Sequence, residues 1–341
     1  MKARFPHAWV YLLKHEAALR SRERGAFDDD EWYRFGRNQN IDKQERVKLG
    51  VAQTVPGMRV FADVDGEFYF NNVRVNAILP NRADDLFFLL GVLNSKVIDA
   101  VFRRIAKPKG GGYFEANKQF IAPLPIPAAD AAQKAEVGRR AKHLQDLHTA
   151  RRNAVRELQR RLDSTQCVDG AREESWLWGD VEPSLIAREA PSECVGRELK
   201  AWVKTTRIGR VDAHLGSVGS SLRPGARFSV ENREGEVRFL ADGAPLLTVY
   251  EDQDETPLVA AQWRLVARTL RVGEGFRPAS LVRALLGLRT TQNISLRAQV
   301  VDLDARIVAF DAEIRQSEEE LNKYTYVLYG LAESEIRLVE S

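Results

Sequence analysis

Several things that enzyme sites and secreted scaffolds depend on are missing from this chain. It has only two cysteines, Cys167 and Cys194, too few for a disulfide framework and without metal-ligand spacing. They read as reduced thiols of a cytoplasmic protein. There is no Gly-x-Ser-x-Gly elbow, no His-Glu-x-x-His and no Cys-x-x-Cys. Gly110-Gly111-Gly112 lacks the Lys-Ser/Thr that completes a phosphate-cradling loop. The five histidines show no ligand spacing beyond His143 and His148, which read as surface or seam residues. The apolar run from Leu86 to Leu93, interrupted by Gly91, is far too short to cross a bilayer. Near the N-terminus, Lys14, His15 and Glu16 interrupt any signal-peptide core.

What remains is a 341-residue chain, 44% hydrophobic and 29% charged, long enough for two cores of ordinary size. Its net charge of +3 hides an asymmetry. Residues 1–165 carry 29 Lys+Arg against 20 Asp+Glu, whereas 166–341 carry 22 against 28. A polyanionic partner is therefore expected on the first half.

In chain order, residues 7–24 have the spacing of an amphipathic helix. The acidic run 28–31 has no second cluster and reads as a solvated loop. From Val47 to Val75 the period changes to two. VKLGVAQ, MRVFADV, EFYFNN and VRVNAIL predict a small, mostly antiparallel sheet, with Asp65-Gly66 as a type I′ hairpin turn. Residues 84–105 predict one helix, and Lys107 to Phe114 a basic glycine-rich loop.

Residues 131–163 predict a long helix with a seam at Ala141, Leu144, His148, Val155, Leu158 and Leu162, Arg151 being its one poor position. A second seam runs unbroken from Leu296 through Val300, Leu303, Ile307, Phe310 and Ile314 to Leu331, a coiled-coil signature. The expected arrangement is an antiparallel pair within one chain; a dimer joined through the second helix is the competing account. Between the two helices, 164–287 reads as an inserted α+β module. It has Trp176 and Trp178, a helical stretch at 193–204, strand-like RFSVEN, EVRFLAD, PLLTVYE and WRLVARTL, and a helix at 278–287. The expected fold class is α+β, with domains 1–127, 128–163 plus 288–341 (the helical pair), and 164–287.

One string has the letters of a metal-dependent nuclease: Glu198-Leu199-Lys200, with Asp180 and Glu193 upstream. That chemistry needs acids and a lysine converging on Mg²⁺ from strands, and this segment has helical spacing.

The residues of the first third carry a resemblance. Trp32-Tyr33, Gly36-Arg37-Asn38-Gln39-Asn40, Phe68-Tyr69-Phe70-Asn71-Asn72, Leu90-Gly91-Val92-Leu93-Asn94-Ser95-Lys96, Gly110-Gly111-Gly112-Tyr113-Phe114 and Leu124-Pro125-Ile126-Pro127 occur in that order. The pattern over about 1–127 resembles the TaqI-like C-terminal specificity domain of adenine-specific DNA methyltransferases and Eco57I-type restriction–modification enzymes. The ending, Leu321-Asn322-Lys323-Tyr324 through Ile336, resembles the final helical hairpin of those enzymes. The resemblance implies double-stranded DNA as partner and target-site recognition as function. A catalytic domain binding S-adenosylmethionine would act in cis or in trans.

No cofactor is expected in this chain. It has no Pro-Pro pair and so no Asn-Pro-Pro-Tyr motif, and Met1 falls just before the specificity helix. The chain is therefore expected to be the C-terminal part of a longer protein or a separately encoded reader, with no catalytic residue of its own. An enzyme that acts on an extruded base needs a second body to hold the flanking duplex. Phosphate contacts by Arg and Lys position it, and Asn, Gln or Arg read groove edges. The residues expected to do this are Arg34, Arg37, Asn38, Gln39, Asn40 and Lys43 in one loop. Lys107, Lys109, Gly110, Gly111, Gly112, Tyr113 and Lys118 form the second set. Trp32 and Tyr33 read as core anchors, Asn94-Ser95-Lys96 as a helix cap, and Pro123 to Pro127 as a rigid exit into the long helix. The alternative is a scaffold subunit of a restriction or phage-defence complex that holds other subunits through the coiled coil and the 164–287 module.

Overall fold

A computed structural model describes residues 1–36, 40–70, 74–164, 183–223, 225–250, 252–272, 276–286, 288–289 and 291–340. The fold is α+β: three small antiparallel sheets are arranged along one long antiparallel helix pair.

That pair is α7 (Ala131–Asp163) and α12 (Ile294–Tyr329). Asp130 and Gln133 start α7 with a reciprocal capping box. Gly330, at φ 64°, ends α12 in the left-handed conformation that favours glycine. Cross-helix ion pairs Arg140–Glu320 at 3.0 Å and Arg151–Asp311 at 2.9 Å run in opposite sequence directions, which fixes the antiparallel register. The seam of α7 is Val137, Ala141, Leu144, Leu147, Ala154, Leu158 and Leu162. His148 and Arg151, expected on it, lie at its flank and face Glu318 and Asp311 instead. Polar side chains of that size stay at the edge because desolvating them would cost more than the packing returns. The helix pairing is thus made within the chain.

The described residues form three cores, two of them built on this pair. The first joins the front lobe to one end of it. The lobe holds β1 (Lys48–Ala52), β2 (Thr54–Val55), β3 (Phe61–Asp63), β4 (Val75–Ile78), α4 (Leu86–Leu93), α5 (Lys96–Ile105), β5 (Pro108–Lys109), β6 (Tyr113–Glu115) and α6 (Lys118–Ile121). Strand order is β3-β1-β4 in one sheet and β2-β6-β5 in the next. Gln53 links them, since its N–H donates to Arg74 O and its carbonyl accepts from Ala116 N. Leu49 and Val51 point into the core under α4, and Gly91 lets α4 press onto Val137 and Ala141 of α7.

Three expectations for this lobe are corrected. The single helix over 7–24 is three short ones, α1 (Pro6–Leu13), α2 (Glu16–Arg20) and α3 (Arg22–Gly25), interrupted at Lys14-His15 and at Ser21, with α3 itself distorted by positive φ at Glu23 and Arg24. The Arg22 guanidinium draws the chain back by donating to Trp32 O and Arg34 O. The helix over 84–105 divides at Asn94-Ser95. The Asn94 amide binds both N–H and C=O of Val60, and Ser95 caps α5. No hairpin forms at Asp65-Gly66 either. The Asp63 carboxylate accepts from Glu67 N and Phe68 N at 3.1 Å, so the aromatic run turns instead of pairing. Asn71 and Asn72 lie outside the described residues. Trp32 is buried beside Trp9, as a core anchor should be.

The second core is toward the other end of the pair, where Leu158, Val300, Leu303 and Ile307 meet Leu258 and Ala261 of α10 (Thr256–Thr269). The third belongs to the inserted module. There β7 (Phe228–Arg233), β8 (Glu236–Ala241) and β9 (Ala244–Tyr250) form a meander that packs on α10 and α11 (Pro278–Leu286), with Trp263 fully buried. WRLVARTL is thus helix, not strand: Pro257 opens α10 and its face is buried from Leu258 to Trp263. The remaining helices are α8 (Pro183–Arg188), α9 (Arg197–Ser221) and α13 (Glu333–Glu340). Trp176 and Trp178 lie outside the described residues. Among the described residues no helix is long and apolar enough to cross a membrane.

Candidate nucleic-acid interface

On the face of the β3-β1-β4 sheet turned away from α4, a cleft of about 430 Å³ lies between the 40–48 segment, β4 and α6. Its rim carries Asn40, Lys43 and Lys118, three of the residues expected from sequence, and its wall carries Gln44, Lys48, Phe70 and Asn76.

The wall is built on one buried ion pair. Lys48 Nζ lies 2.5 Å from Asp63 Oδ2, with the two side chains 1% and 2% exposed. Lys48 also donates to Gln44 O and lies 4.9 Å over the Phe70 ring. Burial works against a charged Asp63, but Lys48 and the N–H groups of Phe68 and Glu67 outweigh it and hold the carboxyl below the usual carboxylate range. Gln44 Oε1 accepts from Phe70 N at 2.9 Å. The pair thus ties the 44–48 segment to 63–70 and sets the cleft's shape. Gly50 is needed beneath it, since a Cβ there would lie 2.4 Å from the Phe61 ring and 2.9 Å from Phe70.

At the rim, Asn40 adopts φ 61° and its Oδ1 accepts from Lys43 Nζ at 2.9 Å. Lys43 has no carboxylate partner among the described residues, and neither does exposed Lys118 at the start of α6. The charge at this rim is therefore available to an anion.

Lys118 follows β6 by three residues, and β5–β6 is the hairpin of the triple glycine. Gly111 and Gly112 have φ 71° and 77°. A Cβ on Gly110 or Gly112 would meet nothing within 4 Å, so the tip stands in solvent with its amides accessible. Tyr113 beside it is 45% exposed. Lys107 is exposed and has no carboxylate partner among the described residues, whereas Lys109 leans on Glu115 at 3.4 Å. Asn76 Nδ2 donates to Ala116 O at 2.8 Å and ties this hairpin to the cleft wall.

The structure sets Arg34 apart. It is held by Asp29 at 2.6 Å and Glu31 at 3.6 Å, and lies over the Phe27 ring. That hydrogen bond from Arg34 holds the Asp29 carboxyl below its usual range. Arg34 thus fastens the N-terminal segment and spends its charge there. Arg37, Asn38 and Gln39 lie outside the described residues. Sequence reasoning missed Lys48, Gln44 and Asn76. A lysine in an apolar strand followed fifteen residues later by an aspartate is too weak a signal to find the ion pair.

The nuclease string does not assemble. Glu198 and Lys200 are exposed on α9, Glu193 is exposed in the loop before it, and Asp180 lies outside the described residues. No group of three His, Cys, Asp or Glu that could hold a metal occurs among the described residues. No protein-family model matches the chain, and no curated protein matches it in sequence.

Proposed function

We propose that this chain binds double-stranded DNA and recognises a target site, as the C-terminal specificity region of an adenine-specific DNA methyltransferase or restriction–modification enzyme in the cytoplasm. One observation supports the reading above others: Asn40 and Lys43 share one cleft with Lys118, some 75 residues on, and the two rim lysines lack carboxylate partners among the described residues. Beside it stands a solvent-exposed glycine hairpin with Lys107 and Tyr113. Unpaired ammonium groups and free backbone amides suit phosphate oxygens, and Asn40 offers the amide that pairs with an adenine edge.

Methyl transfer belongs to the catalytic domain that would bind S-adenosylmethionine. The described residues do not fit that group, because every strand pair is antiparallel and the triple glycine joins two antiparallel strands. A glycine-rich cofactor turn follows a strand of a parallel sheet.

The test is duplex binding by fluorescence anisotropy across a salt series with Lys43→Ala/Lys118→Ala. Each lost phosphate contact lowers affinity and reduces the slope of log affinity against log salt by about 1. Affinity and slope equal to those of the unsubstituted chain would refute the assignment of this cleft.

A further inference from the structure

A larger basic concavity, about 830 Å³, opens where the inserted module meets α7. Its lining gathers Arg151, Arg152, Arg227, Arg268 and Arg271 with His148. These come from three separate elements: α7, the loop before β7, and the end of α10 with the turn that follows. The chain between 166 and 341 is acidic in balance, so this convergence does not follow from local composition.

The charge inventory is lopsided. Asp311 engages two of the five guanidiniums, Arg151 at 2.9 Å and Arg268. Arg152 and Arg227 are exposed, and among the described residues neither side chain has a hydrogen-bond or carboxylate partner. Arg271 uses one nitrogen on the carbonyls of Arg268 and Leu270, leaving its other donors free. His148 accompanies Arg151 at 3.1 Å and Glu318 at 3.6 Å on the far side. Three guanidiniums with no carboxylate partner among the described residues repel each other around one hollow, and an anion in the hollow reverses the sign of that energy. Guanidinium forks match phosphate oxygens two at a time.

We infer that the cleft between α7 and the inserted module is a phosphate-binding site, a second anion site separate from the front-lobe cleft. This gives the module a role: it brings Arg227, Arg268 and Arg271 to Arg151 and Arg152 of the long helix. The phosphate has two possible sources, a nucleic-acid backbone or a free nucleotide, and both present the same oxygens.

The experiment uses the full chain and two probes, ATP by titration calorimetry and a short duplex of random sequence by anisotropy. The variant is Arg152→Ala/Arg227→Ala, chosen because neither side chain bonds to any other described residue, so its helix content should match the unsubstituted chain. The expected result is a loss of at least about tenfold in affinity for one probe or both, partly restored by Arg152→Lys/Arg227→Lys. Loss for ATP assigns a free nucleotide, and loss for the duplex alone assigns a nucleic-acid backbone. If neither probe binds the unsubstituted chain, or neither affinity changes, the inference is overturned. The front-lobe reading is scored separately: Lys43→Ala/Lys118→Ala leaves ATP affinity unchanged whichever way this test falls.

Discussion

Replacing Lys48 by Met should be among the most damaging single changes in the front lobe. The ammonium is 1% exposed and lies 2.5 Å from an Asp63 carboxylate that is 2% exposed. Removing it leaves a buried anion supported only by the N–H groups of Glu67 and Phe68. Breaking one side of a buried pair costs about 3–5 kcal/mol, most of it the uncompensated charge. The sign of the pH dependence follows. With Lys48 present, the Asp63 pKa is depressed, so its stabilisation is present above the unfolded carboxylate value of 3.8 and is lost as pH falls through the folded value. In Lys48→Met, burial without a counter-charge pushes the carboxyl up, and the variant regains stability relative to the native chain in acid. Lys48→Met/Asp63→Leu removes both charges and should recover most of the single variant's loss. Urea denaturation followed by near-ultraviolet dichroism at neutral and acidic pH reads all three. A single-variant loss under about 1 kcal/mol, equal at both pH values, would refute the view that this pair holds the cleft wall.

Gly111→Val forces a β-branched residue to φ 71°, at a cost of about 1–2 kcal/mol. Since the tip packs against almost nothing, it can relax out of that conformation and shed the strain, so the expected outcome is weaker duplex binding with little change in melting temperature. Gly91→Leu drives a side chain into Val137 Cγ1, 2.7 Å from the first added carbon. A loss of about 1–3 kcal/mol or more is expected in chemical denaturation. Arg264→Met leaves Asp304, buried in the α12 seam, without its partner. Burial already pushes that carboxyl up despite Arg264. A raised folded pKa favours the folded chain below the unfolded value, and the advantage is lost as pH rises through the folded one. The Arg264→Met defect should therefore deepen from acid to neutral pH, as thermal melts at the two pH values would show.

The long helices were legible because burial repeats along them every three or four residues over more than thirty positions, and because Asp130 and Gly330 mark their ends chemically. The aromatic run 67–70 was misread because strand propensity there yields to two side-chain-to-backbone bonds from Asp63. WRLVARTL was misread because alternation of apolar and charged residues describes the open half of α10 as well as it would a strand. In the candidate site, Asn40, Lys43, Lys118 and the glycine hairpin were legible as residue types suited to phosphate. What could not be read was their charge balance. Arg34 is consumed by Asp29 and Glu31, Lys109 by Glu115, and Lys43 keeps its charge. The arginine cleft was less legible still, since it joins α7 to residues of the inserted module about 75 to 120 positions further along the chain.

Hydrogen–deuterium exchange with and without saturating duplex DNA most directly tests whether the front lobe is the part that grips. The account predicts slowed amide exchange on adding duplex at 40–48 and 107–118, around the cleft and the hairpin tip. Protection absent from both segments, or confined to α12, would contradict it.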